Sequence, residues 1–202
     1  MHKRDRRILI RVAIVAAAVA WHYSQRPRTH PPGVLVANPP VQTEGDLRTT
    51  IPRKGDFTIT PLATFSMSAR VLGRADYHLD AGAKLAPVDL ALGWGRMSDS
   101  AVLEKVDISQ SVRFYHWKVR EFPIPEREII ESSANMHLIA ADDAVARAID
   151  HTRVGDIVSF DGYLVRADGP KGYQWTSSLT RTDTGNGACE LVWVEHFDIA
   201  PP

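Results

Sequence analysis

Residues 57–71 alternate. Phe57, Ile59, Ala63, Phe65, Met67, Ala69 and Val71 hold odd positions, while Thr58, Thr60, Thr64, Ser66, Ser68 and Arg70 hold even ones. A period of two marks a half-buried strand. Pro61, which has no N–H to give, points to an edge or a break in it. Residues 87–92 read as a short helical turn. Gly93-Trp94-Gly95 reads as a tight loop, and Ser98 or Asp99 caps a helix over 101–106. Residues 108–119 are rich in β-branched and aromatic side chains and predict one strand. A proline-opened helix follows over 123–133, then a short strand over 135–140. Residues 141–156 put Ala144, Val145, Ala148 and Ile149 on one helical face, with an acidic start and Gly155 beyond the end.

Three strands close the pattern. In 157–166, Val158, Phe160 and Leu164 share a face, and Gly162 marks a bulge or a close backbone approach. Residues 168–172 are turn-forming, and 173–179 alternate again. Residues 189–197 are apolar on both faces at their centre, as in a central strand. Asn186-Gly187 is a strong hairpin dipeptide, so 175–179 and 189–194 are expected to pair. Together these elements predict an α+β domain: a curved antiparallel sheet or small OB- or SH3-like β-barrel with two or three short helices.

The N-terminus follows another pattern. Lys3, Arg4, Arg6, Arg7 and Arg11 flank an apolar run over 8–23, which Arg11 interrupts. As a helix that run spans roughly 24 Å, short of a hydrocarbon core of about 30 Å. Arg11 can snorkel to headgroups, and Trp21 and Tyr23 are interfacial anchors. The basic flank predicts a single-pass anchor over 1–23 with its N-terminus in the cytoplasm. A cleaved secretory signal ending at Ala18 and Ala20, and a plain soluble helix, are the alternatives. The first two place the remaining chain in a bacterial periplasm. Residues 24–55 carry Pro27, Pro31, Pro32, Pro39, Pro40 and Pro52. They read as a semi-rigid linker or, in their second half, as an arm packed along the domain, with 34–36 able to pair as a strand. The globular domain is set at 56–202.

Basic and acidic residues number 24 each, so the net charge is zero. That argues against a nucleic-acid partner. With one cysteine there is no internal disulfide. The scattered histidines lack metal-ligand spacing, and no metal or cofactor is expected.

The residues that carry chemistry gather near the end, in "SSLTRTDTGNGACE". A cysteine nucleophile needs a base within reach and a group to orient it. Cys189, His137 and Glu190 form that set, with His116 as a second candidate base. "GNGACEL" resembles the nucleophile segment of L,D-transpeptidases, periplasmic enzymes with a His, then Ser-His-Gly-Cys, and an Arg nearby. Here Ala188 stands where that family has Gly, and Glu190 where it has an aliphatic residue before Arg. A neighbouring carboxylate also raises a thiol pKa, against thiolate formation. The alternative for Cys189 is a small buried apolar side chain. Alternation puts Glu190 on the face of Val192 and Val194, where a carboxylate needs a partner; Arg113 and Arg181 are candidates. Arg181 and Asp183 serve either as a turn-stabilising pair or as ligand contacts. Arg113, His116, Asn135, His137, Ser178, Arg181, Asp183 and Glu190 are the ligand-binding candidates. Trp94, Tyr115, Trp117, Tyr163, Trp175 and Trp193 line a groove or fill the core.

The series "LAPVDLALGWGRMSD", "SQSVRFYHW", "SSANMHLIAA", "GDIVSFDGYLV" and "WTSSLTRTDTGNGACELVWVE" resembles a family of uncharacterised, membrane-anchored bacterial envelope proteins over residues 57–196. The resemblance implies an envelope location and no activity. The expectation is a non-catalytic, membrane-tethered periplasmic domain that binds a protein partner or envelope component. The alternatives are a cysteine-dependent acyl transferase or hydrolase using Cys189 and His137, and a structural spacer subunit of an envelope complex.

Overall fold

The computed structural model describes residue 12 and residues 26–45, 47, 49–180 and 189–201. Nine strands run in chain order: β1 Val41–Glu44, β2 Thr58–Asp76, β3 Val88–Gly93, β4 Val106–Ser111, β5 Phe114–Val119, β6 Ser133–Ala140, β7 Ile157–Asp168, β8 Gln174–Thr176 and β9 Glu190–Ile199. Among the described residues three α-helices of four or more residues accompany them: α1 Ser100–Leu103, α2 Glu126–Glu131 and α3 Asp143–Asp150.

Strand β2 organises the sheet because it is long. Its first part pairs with β7 from Thr58 to Arg70, and its last part pairs with β3 from Arg70 to Asp76. The remaining order, β3-β6-β9-β7, leads back to β2, so the sheet curls round on itself. The odd residues of β2, Ile59, Ala63, Phe65, Met67, Ala69 and Val71, are buried as their alternation predicts. Pro61 sits where the β2–β7 register shifts, so its missing N–H falls in a bulge.

Strand β9 is central, as expected, but its partners are β6 and β7. The β6–β9 pair is parallel, so the sheet is mixed rather than antiparallel. Among the described residues strand β8 pairs only with β7. Between 175–179 and 189–194, which were expected to pair, Ser178 N–H donates to Cys189 O at 3.2 Å and Leu191 N–H to Ser177 Oγ at 3.1 Å, and the described ladders run to other strands.

Two further expectations are corrected. Residues 88–93 form a strand instead of a helical turn. All six are buried, because the sheet interior covers one face and the β4–β5 hairpin region the other. A strand covered on both faces shows no alternation. Residues 108–119 form two strands, β4 and β5, joined at Val112-Arg113. Helix α1 is capped by Asp99, which accepts from Ala101 N–H, and α3 by Asp142. Gly162 allows the close approach expected of it: a Cβ there would lie 1.9 Å from Trp193 O.

Over its described part the proline-rich segment packs along the sheet. Arg28 N–H donates to Val154 O and its guanidinium pairs with buried Asp156 at 3.0 Å. Leu35 and Val36 N–H donate to Ser98 Oγ. β1 pairs with β2, so the strand of this segment is 41–44 and not 34–36. Among the described residues no helix is long and apolar enough to cross a membrane. The anchor read over 1–23 lies, but for Val12, outside them.

Candidate functional site

The outer face of β3 and β6 carries the unusual chemistry. Asp89 and His137 stand opposite each other in register, and both side chains are buried. His137 Nδ1 lies 2.8 Å from Asp89 Oδ1, off the line a hydrogen bond needs. Asp89 Oδ2 has no hydrogen-bond partner among the described residues.

Arg113 supplies the balancing charge. Val112 and Arg113 both have positive φ, +50° and +69°, the signature of a two-residue type I′ turn. Such turns favour Asn and Gly, and a β-branched residue there is strained. The turn swings Arg113 onto the sheet, where Nη1 donates to Asp89 Oδ1 and to Ala86 O, each at 2.7 Å. Nε and Nη2 engage Asp80 in the loop 77–87. The guanidinium lies 3.9 Å from the Tyr77 ring centroid and 5.4 Å from that of Trp175, within cation–π range. Arg113 N–H donates to Tyr77 Oη at 2.9 Å. Burial raises the Tyr77 pKa, opposed by that N–H. Burial likewise raises Tyr173.

Asn135 clasps the hairpin. Its Nδ2 donates to Arg113 O at 3.1 Å, and its Oδ1 accepts from Gln110 at 2.7 Å. Cys189 Sγ approaches the same Arg113 carbonyl at 3.9 Å. A carbonyl acceptor favours the thiol over the thiolate.

Asp80, Arg113, His137, Trp175 and Cys189 are among the residues that line a cleft of about 510 Å³. The His137 and Trp175 rings are 4.5 Å apart. A Cβ on Gly82 would come within 2.6 Å of Trp175 Cζ3, so a bare backbone lets the aromatic wall close on the loop. A larger depression of about 630 Å³ lies between the 35–41 segment and the sheet, without a comparable charge network.

The expected site residues divide. Arg113, His137 and Cys189 line the cleft, and Asn135 holds its wall. Glu190 is buried opposite Met136 in the sheet register. Ser178 bonds locally to Thr180. His116 is on the exposed side of the hairpin, with Ser111 Oγ at 3.2 Å, away from the cleft lining. Arg181 and Asp183 lie outside the described residues. The carboxylate beside His137 Nδ1 is that of Asp89, at 2.8 Å, a residue the sequence reading did not single out. Sequence reasoning missed Asp89, Asp80 and Tyr77; an acidic residue inside the apolar run 85–92 was the available signal. Among the described residues no group of three metal-ligating side chains gathers.

No protein-family model matches the chain, and no curated protein matches it.

Proposed function

We propose that this chain is a membrane-tethered domain of the bacterial envelope that binds an envelope component or partner protein in the Arg113 cleft and catalyses no reaction. In this reading residues 1–23 anchor it in the inner membrane and the globular domain stands in the periplasm. The basic flank, the apolar run and the motif resemblance support the location. The observation that supports the binding site is the strained turn at Val112-Arg113, which sets a charged side chain into an aromatic cleft. Strain of that kind persists where surrounding contacts over-determine it, and it clusters at functional positions.

The strand order β2-β3-β6-β9-β7 returning to β2, with parallel β6–β9 and α3 between β6 and β7, supports an OB-like barrel. In such barrels ligands lie on the face of the second and third strands and between the first–second and fourth–fifth loops. Here those places correspond to β3, β6, the loop 77–87 and the chain after β7, which meet at the cleft. The likeness locates a site and names no ligand.

One observation favours the cysteine-enzyme reading. His137 faces Asp89 through Nδ1, and its Nε2 has no hydrogen-bond partner among the described residues, in a cleft that also contains Cys189. The Sγ contact with Arg113 O weighs against an activated thiol.

Photo-crosslinking separates these readings. Benzoylphenylalanine at Phe114, which lines the cleft, is expected to give a discrete adduct in intact membranes that persists in Cys189→Ser. The same probe at exposed Lys118 should give none. Identical adducts from both positions would contradict a cleft-specific site. An adduct lost in Cys189→Ser would favour the enzyme.

A further inference from the structure

We propose that the Arg113 cleft binds a neutral, hydroxyl-rich ring, a saccharide of the envelope, with Trp175 as the platform and Asp80 as the acceptor. The inference rests on the binding-site reading above and names its ligand class.

Charge disfavours two classes. An anion needs N–H donors, and those of Arg113 are engaged: Nε and Nη2 on Asp80, Nη1 on Asp89 and Ala86 O. Asp80, with its side chain 39% exposed, adds like charge against an anion. A cation fits an aromatic cleft, but the Arg113 guanidinium already lies 3.9 Å over Tyr77 and 5.4 Å from Trp175. A second cation would meet it at close range. A wholly apolar ligand would cover polar groups without replacing their water hydrogen bonds.

The groups with capacity left are mainly acceptors. Asp80 retains lone pairs. Gln174 donates through Nε2 to Asp168 at 2.9 Å, which leaves its Oε1. His137 Nε2 has no hydrogen-bond partner among the described residues and donates or accepts according to its tautomer. The Thr176 and Tyr173 hydroxyls serve either way. The complementary ligand carries many O–H donors around its edge and a C–H face for the half-buried Trp175 ring. A pyranose has both. The cleft volume of about 510 Å³ lies within the range of small-molecule sites, roughly 300–1,000 Å³.

The test uses the full chain with 5-fluorotryptophan and 19F NMR, the Trp175 resonance being assigned from Trp175→Phe. Tri-N-acetylchitotriose, cellotriose, hexalysine and octathymidylate are titrated separately. One of the sugars is expected to shift the Trp175 resonance saturably. Asp80→Asn, with an unchanged far-UV spectrum, should weaken that binding about tenfold, as for loss of a charged acceptor. A Trp175 shift with hexalysine or octathymidylate but with neither sugar would overturn the saccharide and leave the cleft standing as a site. No shift with any probe up to roughly 10 mM, well above a Kd of about 1 mM, would overturn the saccharide too. The cross-link at Phe114 then decides the site reading separately.

Discussion

Replacing Arg113 by Met removes the guanidinium that faces Asp89. Arg113 Nη1 and Asp89 Oδ1 are 2.7 Å apart, with the carboxylate fully buried and the guanidinium 15% exposed. At an effective dielectric of about 20 that separation corresponds to an attraction of about 6 kcal/mol. Most of it is offset by the desolvation of two charges. Breaking such a pair from one side costs about 3–5 kcal/mol, because the remaining charge is left buried. Loss of the stacking on Tyr77 adds about 1 kcal/mol, so Arg113→Met is expected to destabilise the domain by about 4–6 kcal/mol. Asp89→Asn removes the other charge while Arg113 keeps Asp80 and Ala86 O, and should cost about 1–2 kcal/mol. The double variant, with neither charge, should fall within about 2 kcal/mol of wild type. Urea unfolding followed by tryptophan emission, at a common m value, gives all four corners of the cycle. If the two single losses add to within about 0.5 kcal/mol, the pair is not coupled and the charge network described above is wrong.

Three other predictions follow from separate places in the fold. Gly162→Ala drives a Cβ to within 1.9 Å of Trp193 O and should destabilise by about 3–5 kcal/mol, the scale of severe steric strain; a loss under about 1 kcal/mol would contradict the β7–β9 approach. The Asp99 carboxyl is held below the usual carboxylate range, first by Gly33 N–H and then by Ala101 N–H. Its folded pKa is depressed, so its contribution is present above about pH 4 and lost as pH falls through the lowered value. Carboxyl 13C titration should show that low value and Gly33→Pro should raise it; an unchanged titration in that variant would contradict the contact. Burial pushes Tyr115 up to about 12, against a smaller opposite effect of its bond to Ser133. Its folded pKa is raised, so stability is present below about pH 10 and lost as pH rises through 12. Tyr115→Phe should remove the last phenol to ionise in an ultraviolet titration; persistence of that step would assign it elsewhere.

Much of the frame was legible wherever one face of an element is wet. The alternation of β2, the acidic start and apolar face of α3, and the glycine of β7 all report a boundary between core and solvent. The same logic explains the misses. Strand β3 is covered on both sides, so its alternation vanishes and Asp89 looks like a helix residue. The hairpin tip uses Val112 and Arg113 in left-handed conformations, without the Asn or Gly that normally announces such a turn. The partners of β9 are set by the parallel approach of β6, which no local pattern encodes. Of the candidate site, Arg113, His137 and Cys189 were found from residue type alone. Asp80, Asp89 and Tyr77 belong to it only because the curled sheet brings β3 and the loop 77–87 against the hairpin tip.

Cys189 is the protein's single cysteine, and it lies in the cleft wall, so its alkylation reports occupancy of that cleft directly. The rate of labelling by a membrane-impermeant maleimide can be compared between spheroplasts of a bacterium expressing the full chain and the purified full chain in detergent. A periplasmic, occupied cleft should label from outside in spheroplasts, and more slowly than in the purified protein. No labelling until the membrane is opened, or equal rates in the two preparations, would contradict it.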